Sequence, residues 1–362
     1  MSKAYIPFNT VIDDVTKLAK KIEKSNYLTI GKYPIVDQGK SNIAGYAQDK
    51  DGLYENTPAI IFGDHTRIIK YVDVPCFIGA DGVKLLKIKS TYAKDFDYKF
   101  LYYYLSSQNI PDTGYNRHFK WLKAINIYKP SICLQHQIAA TLDKASELIA
   151  LCKKQLEELD ALAESVFYDM FKNAKTEIKE LWQVLDVQNG LVDPTVQPYS
   201  NMIHVGGANI ESNSGNIVNV KLAKEENLIS GKYYFNETMV LYSKIRPNLN
   251  KVALPLQEGI CSADMYPLIP KSDKINRVFL RYILIQSDFL EYAISHSGRA
   301  NIPKINRKDL LRYKLSLPPF PLQTRFATII EKIDQQKSLV KKALQESEDL
   351  FQRLMQNLFK PD

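Results

Sequence analysis

Two stretches of the chain carry apolar residues at alternating spacings of four and three, the a/d pattern of a coiled-coil seam. The first is Ile138, Leu142, Ala145, Ile149, Cys152, Leu156, Leu159, Ala163, Val166 and Met170. The second is Phe326, Ile330, Ile333, Lys337, Val340, Leu344, Ser347, Phe351, Leu354 and Leu358, with Lys337 and Ser347 the polar interruptions. Both follow a proline-bearing lead (Lys129-Pro130, and Pro318-Pro319-Phe320-Pro321), as a chain turning into a helix requires. Elsewhere the apolar runs are short and β-rich: Ala59–Phe62, Cys76–Ile78 and Val83–Ile88, punctuated by Asp51-Gly52 and Asp81-Gly82. The helix-like Phe100–Leu105 closes this set. Met239–Tyr242, Gly259–Asp264 and Phe279–Leu284 repeat the layout, with Ala80-Asp81 answering Ala263-Asp264 and Phe100-Leu101 answering Phe279-Leu280.

The two seams are copies. Residues 127–171 and 315–359 align without a gap at a separation of 188, and 12 of 45 positions are identical, Gln135/Gln323 and Phe171/Phe359 among them. So long a period excludes a solenoid. It implies two globular units, each closed by a long helix, and an approximate internal two-fold. The expected fold is therefore mixed α/β: two globular α/β domains joined by two long helices packed as an antiparallel coiled coil. The boundaries expected are 1–132 and 176–317 for the domains, 133–175 and 318–362 for the helices. Some 35 helical residues make a rod of roughly 50 Å, and a rod with an exposed apolar stripe must pack on a mate. Such a pair holds one unit near each end at a fixed distance. The plainer alternative is a helical hairpin serving only as core.

Charge separates the helices from the domains. Residues 1–132 carry 19 basic and 13 acidic side chains and 176–317 carry 17 and 14, whereas 133–175 carry 5 and 7 and 318–362 carry 7 and 6. The net charge of +8 thus sits in the two units that differ from each other, which suits an anionic partner met by both. No run of 18 apolar residues and no signal-peptide pattern occurs, so a cytoplasmic protein is expected. Cys76, Cys133, Cys152 and Cys261 are isolated in sequence, which supports neither a zinc site nor a disulfide framework.

Polar and basic groups gather in particular loops. In the first unit these are 31–40, 63–67 and 114–121, which offer Lys32, Gln38, Lys40, Asp64, His65, Arg67, Arg117, His118 and Lys120. In the second they are 242–251 and 297–307, with Lys244, Arg246, Asn248, Lys251, Arg299, Asn301, Lys304 and Arg307. Arginine, asparagine and glutamine can bond base edges in bidentate fashion, while lysine and glycine-rich backbone suit phosphates. Each of these loops also reads as an ordinary solvated turn.

At this level of detail the chain resembles the specificity subunits of type I restriction-modification systems. Gly31–Gly39, Phe62-Gly-Asp-His-Thr-Arg67 and Val74–Gly82 look like one version of that family's target recognition domain. Tyr242-Ser-Lys-Ile-Arg-Pro247 with Ser297-Gly-Arg-Ala-Asn-Ile302 is similar to the other common version, and 317–326 resembles the lead into its conserved helix. The resemblance implies a non-catalytic reader of double-stranded DNA, without cofactor or metal. Each domain would bind half of a bipartite target, and the helix pair would set the gap. Two methyltransferase subunits would dock on it and restriction subunits would join. Adenine N6 methylation from S-adenosylmethionine and ATP-driven cleavage would belong to those partners.

The residues themselves agree with an absence of catalysis in this chain. Leu317-Pro-Pro-Phe320 resembles the Asn-Pro-Pro-aromatic motif of adenine methyltransferases, but leucine stands where asparagine would hold the target amino group. Asp97-Tyr98-Lys99 is an Asp-x-Lys fragment of the kind Mg²⁺ nucleases carry, and such a fragment is short enough to arise by chance. Three alternatives remain at this point: a nuclease, a scaffolding adaptor without DNA affinity, and a subunit of a methyltransferase-only or type II-like system.

Overall fold

The computed structural model describes residues 4–79, 81–114, 116–298 and 302–360. The chain divides into two compact units, one of residues 1–154 with 341–362, the other of residues 155–340. The division runs across both long helices, so each unit owns the start of one and the end of the other. The boundaries expected from the repeat fall at the helix ends instead; side-chain packing accounts for a division that crosses the helices.

In the first unit, β1 (Tyr5–Pro7), α1 (Phe8–Val11), β2 (Ile12–Asp14), β3 (Lys21–Ile22), β4 (Tyr33–Val36), β5 (Gly45–Ala47), β6 (Ala59–Gly63), β7 (Ile69–Val72), β8 (Phe77–Gly79) and β9 (Val83–Ile88) come first. Then come α2 (Tyr98–Ser107), α3 (Phe119–Lys123), β10 (Asn126–Tyr128) and the 40-residue α4 (Ile132–Phe171). The strands make two four-stranded sheets, β2-β9-β6-β7 and β3-β8-β4-β5, and a β1-β10 pair. β6 is buried at all five positions and lies inside its sheet. Its alternation sorts side chains between two cores. Ala59 and Ile61 join Val72, Leu85 and Ile78 in one cluster, while Ile60 and Phe62 join Leu86, Phe100 and Tyr104 in the other.

That second cluster takes in the long helices. Ile138, Ala139 and Leu142 of α4 belong to it, and so do Met355 and Phe359 at the far end of α9 (Phe320–Phe359), also 40 residues long. The Phe359 ring stands 5.8 Å from that of Phe100 and 5.6 Å from that of Tyr104, and Phe351 lies 6.2 Å from Tyr103. Lys153 meets Glu348 at 3.1 Å, so within this unit the two helix segments run antiparallel.

The second unit repeats the plan with β11 (Glu177–Glu180), α5 (Leu181–Val184), β12 (Leu185–Val187), β13 (Ile203–Val205), β14 (Lys221–Leu222), β15 (Tyr233–Phe235), β16 (Val240–Ser243), β17 (Val252–Ala253), β18 (Gly259–Cys261) and β19 (Met265–Pro270). α6 (Arg277–Ile285), α7 (Ser287–Ser295), α8 (Arg307–Leu311) and β20 (Lys314–Leu317) complete it. Its sheets are β12-β19-β16-β17 and β14-β13-β18-β15, with a β11-β20 pair. The first matches β2-β9-β6-β7 strand for strand. The smaller sheets differ at one edge: parallel β3 flanks β8, whereas antiparallel β15 flanks β18. Here α6 packs Phe279 and Tyr282 on Phe167 and Phe171 of α4 and on Phe326 of α9. Lys337 meets Asp160 at 2.6 Å, and the segments again run antiparallel.

The expected seam residues lie on the packed faces. Ile138, Leu142, Ile330, Ile333 and Val340 are buried, and Ile149, Leu156, Leu159, Val166, Leu344, Phe351 and Leu354 are half-buried. Ser347 is buried too, its Oγ donating to the Ala343 carbonyl one turn back at 2.6 Å. The helices end at Phe171 and Phe359, short of the expected limits of 175 and 362, of which residues 361–362 lie outside the described residues.

One residue of the repeat fixes each helix start to its own unit. Gln135 is fully buried; its amide donates to the carbonyls of Asp95 (2.8 Å) and Pro130 (3.0 Å), and its Oε1 accepts from Asp97 N at 2.9 Å. Gln323 does the same with Lys274 (3.0 Å), Pro318 (2.8 Å) and Asn276 N (2.9 Å). Asp97 and Asn276 are in turn the N-caps of α2 and α6, accepting from Phe100 N and from Val278 N.

Candidate nucleic-acid interface

In each unit one candidate loop leaves the equivalent strand end, that of β6 or of β16, and the others gather on it. β6 runs into the hairpin 64–67, which returns as β7, with Gly63 N donating to the Ile68 carbonyl at 2.8 Å. Two other segments bond to it. Asp64 N donates to the Gly82 carbonyl (2.6 Å), and His118 N donates to the Asp64 carbonyl (2.8 Å). The loop after β4 is fastened as well: Gln38 Oε1 accepts from His65 N at 3.1 Å, and Thr66 Oγ1 donates to the Gln38 carbonyl at 2.7 Å. The segments 31–40, 63–67 and 114–121 thus converge, joined by the 81–82 turn. Two glycines permit this. A Cβ on Gly82, whose φ is +59°, would lie 2.5 Å from His65 Cδ2, and one on Gly63 would lie 2.7 Å from Gln38 Cβ.

The individual side chains divide by direction. Lys32, Lys40, Arg117 and Lys120 are exposed, and Gln38, His65 and Arg67 are half-buried. Lys32 lies over the Tyr33 ring and Lys120 over the Trp121 ring, at 5.4 and 5.1 Å. His65 Nδ1 stands 3.3 Å from the Asn116 carbonyl.

Asp64 and His118 correct the sequence reading. Asp64 is 3% exposed and its Oδ1 accepts from Phe119 N at 2.7 Å, while His118 is fully buried. His118 Nδ1 stands 3.0 Å from the Asp64 carbonyl, so the proton resides on Nδ1 and Nε2 accepts from Thr113. Both polar groups are turned inward and used to lock the hairpin to the 112–119 segment, out of reach of a ligand. The Asp97-Tyr98-Lys99 fragment also dissolves: Asp97 caps α2, and Lys99 Nζ meets Asp143 at 2.5 Å.

Asp112 is a residue the sequence reading missed. Its carboxylate meets the Arg67 guanidinium at 2.6 Å, and a second Arg67 nitrogen donates to the Ile110 carbonyl at 3.2 Å. The Gly114 amide first, and then the Arg67 charge, hold this carboxyl below its usual range. Its signal in the sequence was slight, one acidic residue just outside a basic loop.

The second unit builds the equivalent hairpin, 244–250, from β16 to β17. Ser243 N donates to the Lys251 carbonyl (3.1 Å), Lys244 N to that of Asp264 (3.0 Å), and Ile305 N to that of Lys244 (3.0 Å). These bonds repeat those of Gly63, Asp64 and His118. Arg246 N also donates to the Pro303 carbonyl at 2.7 Å, which brings 242–251 and 297–307 together. Arg246, Asn248 and Lys304 are exposed. Lys244 and Lys251 are half-buried, their ammonium groups donating to the carbonyls of Ala263 and Gly207 at 2.6 Å each. The Arg307 guanidinium donates to the Val187 carbonyl and the Asn189 amide oxygen, which ties α8 to the end of β12. Arg299 and Asn301 lie outside the described residues.

Left-handed backbone marks both hairpins. Arg67 has φ 62° and Arg246 φ 47°, a conformation that costs a non-glycine residue about 1–2 kcal/mol. Among the described residues no group of three or more His, Cys, Asp or Glu side chains could hold a metal ion, and no helix is long and apolar enough to cross a membrane.

Comparison with known proteins adds to this geometry. The family model described as type I restriction modification DNA specificity domain matches twice, over residues 10–161 and 173–348. The EcoDI specificity subunit of a type I restriction enzyme from Escherichia coli is 33% identical over 182 residues. That match covers 49% of this chain and spans only 40% of the relative's length. The EcoR124I/EcoR124II specificity subunit, also from E. coli, is 23% identical over 365 aligned residues, 92% of this chain and 87% of that one. The crystal structure of a type I restriction-modification S subunit from M. genitalium shares the fold at TM-score 0.69 and 17% identity, covering 100% of this chain and 97% of that one. A chain from structural work on assembly and conformational transition of the type I R-M system superposes at TM-score 0.52 and 15% identity, over 99% and 96% of the two chains. With both domain matches falling one on each half of the sequence, this chain belongs to the type I restriction-modification DNA specificity family.

Proposed function

We propose that this chain is the sequence-reading subunit of a type I restriction-modification complex, with 1–132 and 176–317 as its two target recognition domains. Each domain reads one half of a bipartite site in double-stranded DNA, and the paired helices α4 and α9 set the gap. Two methyltransferase subunits dock on the chain and restriction subunits join them in the cytoplasm; methyl transfer and cleavage are theirs. The observation that carries this reading is the repeated hairpin. In both units the loop leaving the central strand is bonded through the same backbone positions, Asp64 and Lys244, to the same two neighbouring segments. In both it presents basic side chains, and the two loops differ in length and sequence. A constant frame with divergent tips is what two readers of different half-sites require.

The test is to assemble the chain with its partner methyltransferase and map N6-methyladenine genome-wide. A motif of two half-sites separated by a gap of fixed length is expected. A continuous motif, no motif, or Mg²⁺-dependent cutting by the purified chain alone would overturn the reading.

A further inference from the structure

Six residues other than glycine have left-handed backbone among the described residues: Arg67, Asn213, Asn219, Asn227, Arg246 and Asn250. Asparagine is the ordinary occupant of that region after glycine, because its short side chain tolerates it. Four of the six follow this preference. The two that do not are both arginines, and they fall one in each of the two equivalent hairpins.

The hairpins allow the comparison to be made position by position. A short loop commonly closes on a left-handed residue just before the returning strand. The second unit obeys with Asn250, buried, its amide donating to Asn213 Oδ1 and to the Ile285 carbonyl. The first unit has Arg67 at that place, immediately before Ile68. Its loop is shorter, and the arginine combines the turn with a half-buried guanidinium held by Asp112 and the Ile110 carbonyl. The longer loop of the second unit separates the two duties: Asn250 makes the turn, and Arg246 stands four residues earlier, exposed. Each hairpin thus carries an arginine in left-handed backbone, against the local preference.

We infer that Arg67 and Arg246 are the specificity-determining residues of their respective units, each retained for a guanidinium fork that reads the O6/N7 edge of a guanine. This rests on the DNA-reading function proposed above. Asp112 and the Ile110 carbonyl hold the Arg67 fork in place before DNA arrives, whereas the Arg246 side chain makes no hydrogen bond or ion pair with another described residue. The first fork is preset and the second adapts on binding.

Glycine separates readout from folding, since it removes the fork and suits the left-handed backbone. The experiment compares Arg67→Gly, Arg246→Gly, Arg67→Lys and the unaltered chain, each assembled with the methyltransferase, by melting temperature and methylation map. Arg246→Gly should melt at the same temperature or slightly higher, whereas Arg67→Gly gains the same backbone relief but gives up the Asp112 and Ile110 bonds, and should melt at the same temperature or slightly lower. Each should lose discrimination at one guanine of one half-site, on the order of ten- to a hundred-fold, with the other half intact. Arg67→Lys should keep the charge but lose part of the discrimination, because an ammonium can donate to O6 or N7 but lacks the planar fork. An unchanged motif in the glycine variants, a half-site without guanine on either strand, or a lowered melting temperature with both halves lost would each overturn the inference. Absence of any two-part motif with the unaltered chain would instead sink the proposed function.

Discussion

Two regions of each unit differ in how far they have diverged between the copies. At the helix starts, Gln135 and Gln323 make the same three bonds with the same atoms: two carbonyls accepting from the amide and the backbone N–H of a helix N-cap donating to Oε1. At the hairpins after β6 and β16, only the backbone bonds are shared. The loops differ in length, and the side chain at the first loop position is an inward carboxylate in one, Asp64, and a lysine in the other, Lys244. The contrast teaches where constraint comes from. A buried amide with no water to fall back on must keep every partner, whereas a loop tip facing solvent need keep only the backbone frame that aims it.

The largest effect should come from separating the helix segments. A fragment of residues 1–175 lacks Phe359, which packs on Phe100 and Tyr104, and Met355 of the same cluster, and losing two such side chains costs about 3–6 kcal/mol. The same fragment frees Phe167 and Phe171, the repeat counterparts of Met355 and Phe359, from Phe279 and Phe326. Each copy then carries the segment that another copy lacks. The fragment should therefore self-associate, with sedimentation giving a dimer. A folded monomer would show that the helix ends are dispensable and that the units are closed by their own sheets.

Next is the glutamine clamp. Gln135→Leu or Gln323→Leu keeps the volume and leaves one N–H and two carbonyls buried without partners, a loss of about 3 kcal/mol or more. Calorimetry should find the two variants within about 1 kcal/mol of each other by the same principle. A much larger loss in one than in the other would mean that identical bonds conceal different roles.

What the sequence disclosed follows the same division. The seam from Ile138 to Leu358 was legible because burial by a helix imposes a period, and even its polar members sit where the period puts them. Gln135/Gln323 was visible as an identity, but its job was not, since its partners are backbone atoms that leave no mark on side-chain choice. The three loops of the first unit were legible as polar clusters. The direction of Asp64 and His118 was not, because a polar side chain looks the same in sequence whether it meets solvent or a buried N–H. The strands β13 to β15 were not read at all: they are two or three residues long, too short for alternation to show. The left-handed arginines could not be foreseen, because the residue type argues against the conformation it adopts.

The inward lock of the first hairpin offers a middle-sized effect. Asp64→Ala removes the acceptor for Phe119 N and should cost about 1–3 kcal/mol. The second unit has no equivalent carboxylate, so Lys244→Ala should cost less than that. In the assembled complex, methylation should slow for the half-site read by the first unit alone. Equal losses of stability for the two variants would mean that the Asp64 lock adds nothing to the shared backbone frame.

The smallest effect tests the helices themselves. Lys337 occupies the seam position held by Ile149 in the first copy, with a side chain 20% exposed and its ammonium 2.6 Å from an Asp160 that is 69% exposed. A pair so open to water is worth about 0–1 kcal/mol, and isoleucine would recover a similar amount by burial. Lys337→Ile should therefore change stability by no more than about 1 kcal/mol, in the stabilising direction if at all. A polar seam residue can nevertheless fix register where an apolar one lets it slip. Here the register is held independently, because Gln135 and Gln323 pin both helix starts to their own units and Lys153–Glu348 adds a second polar rung. The methylation motif of the variant should keep a single gap length. Two gap lengths in one preparation would move the ruler from the clamps to Lys337.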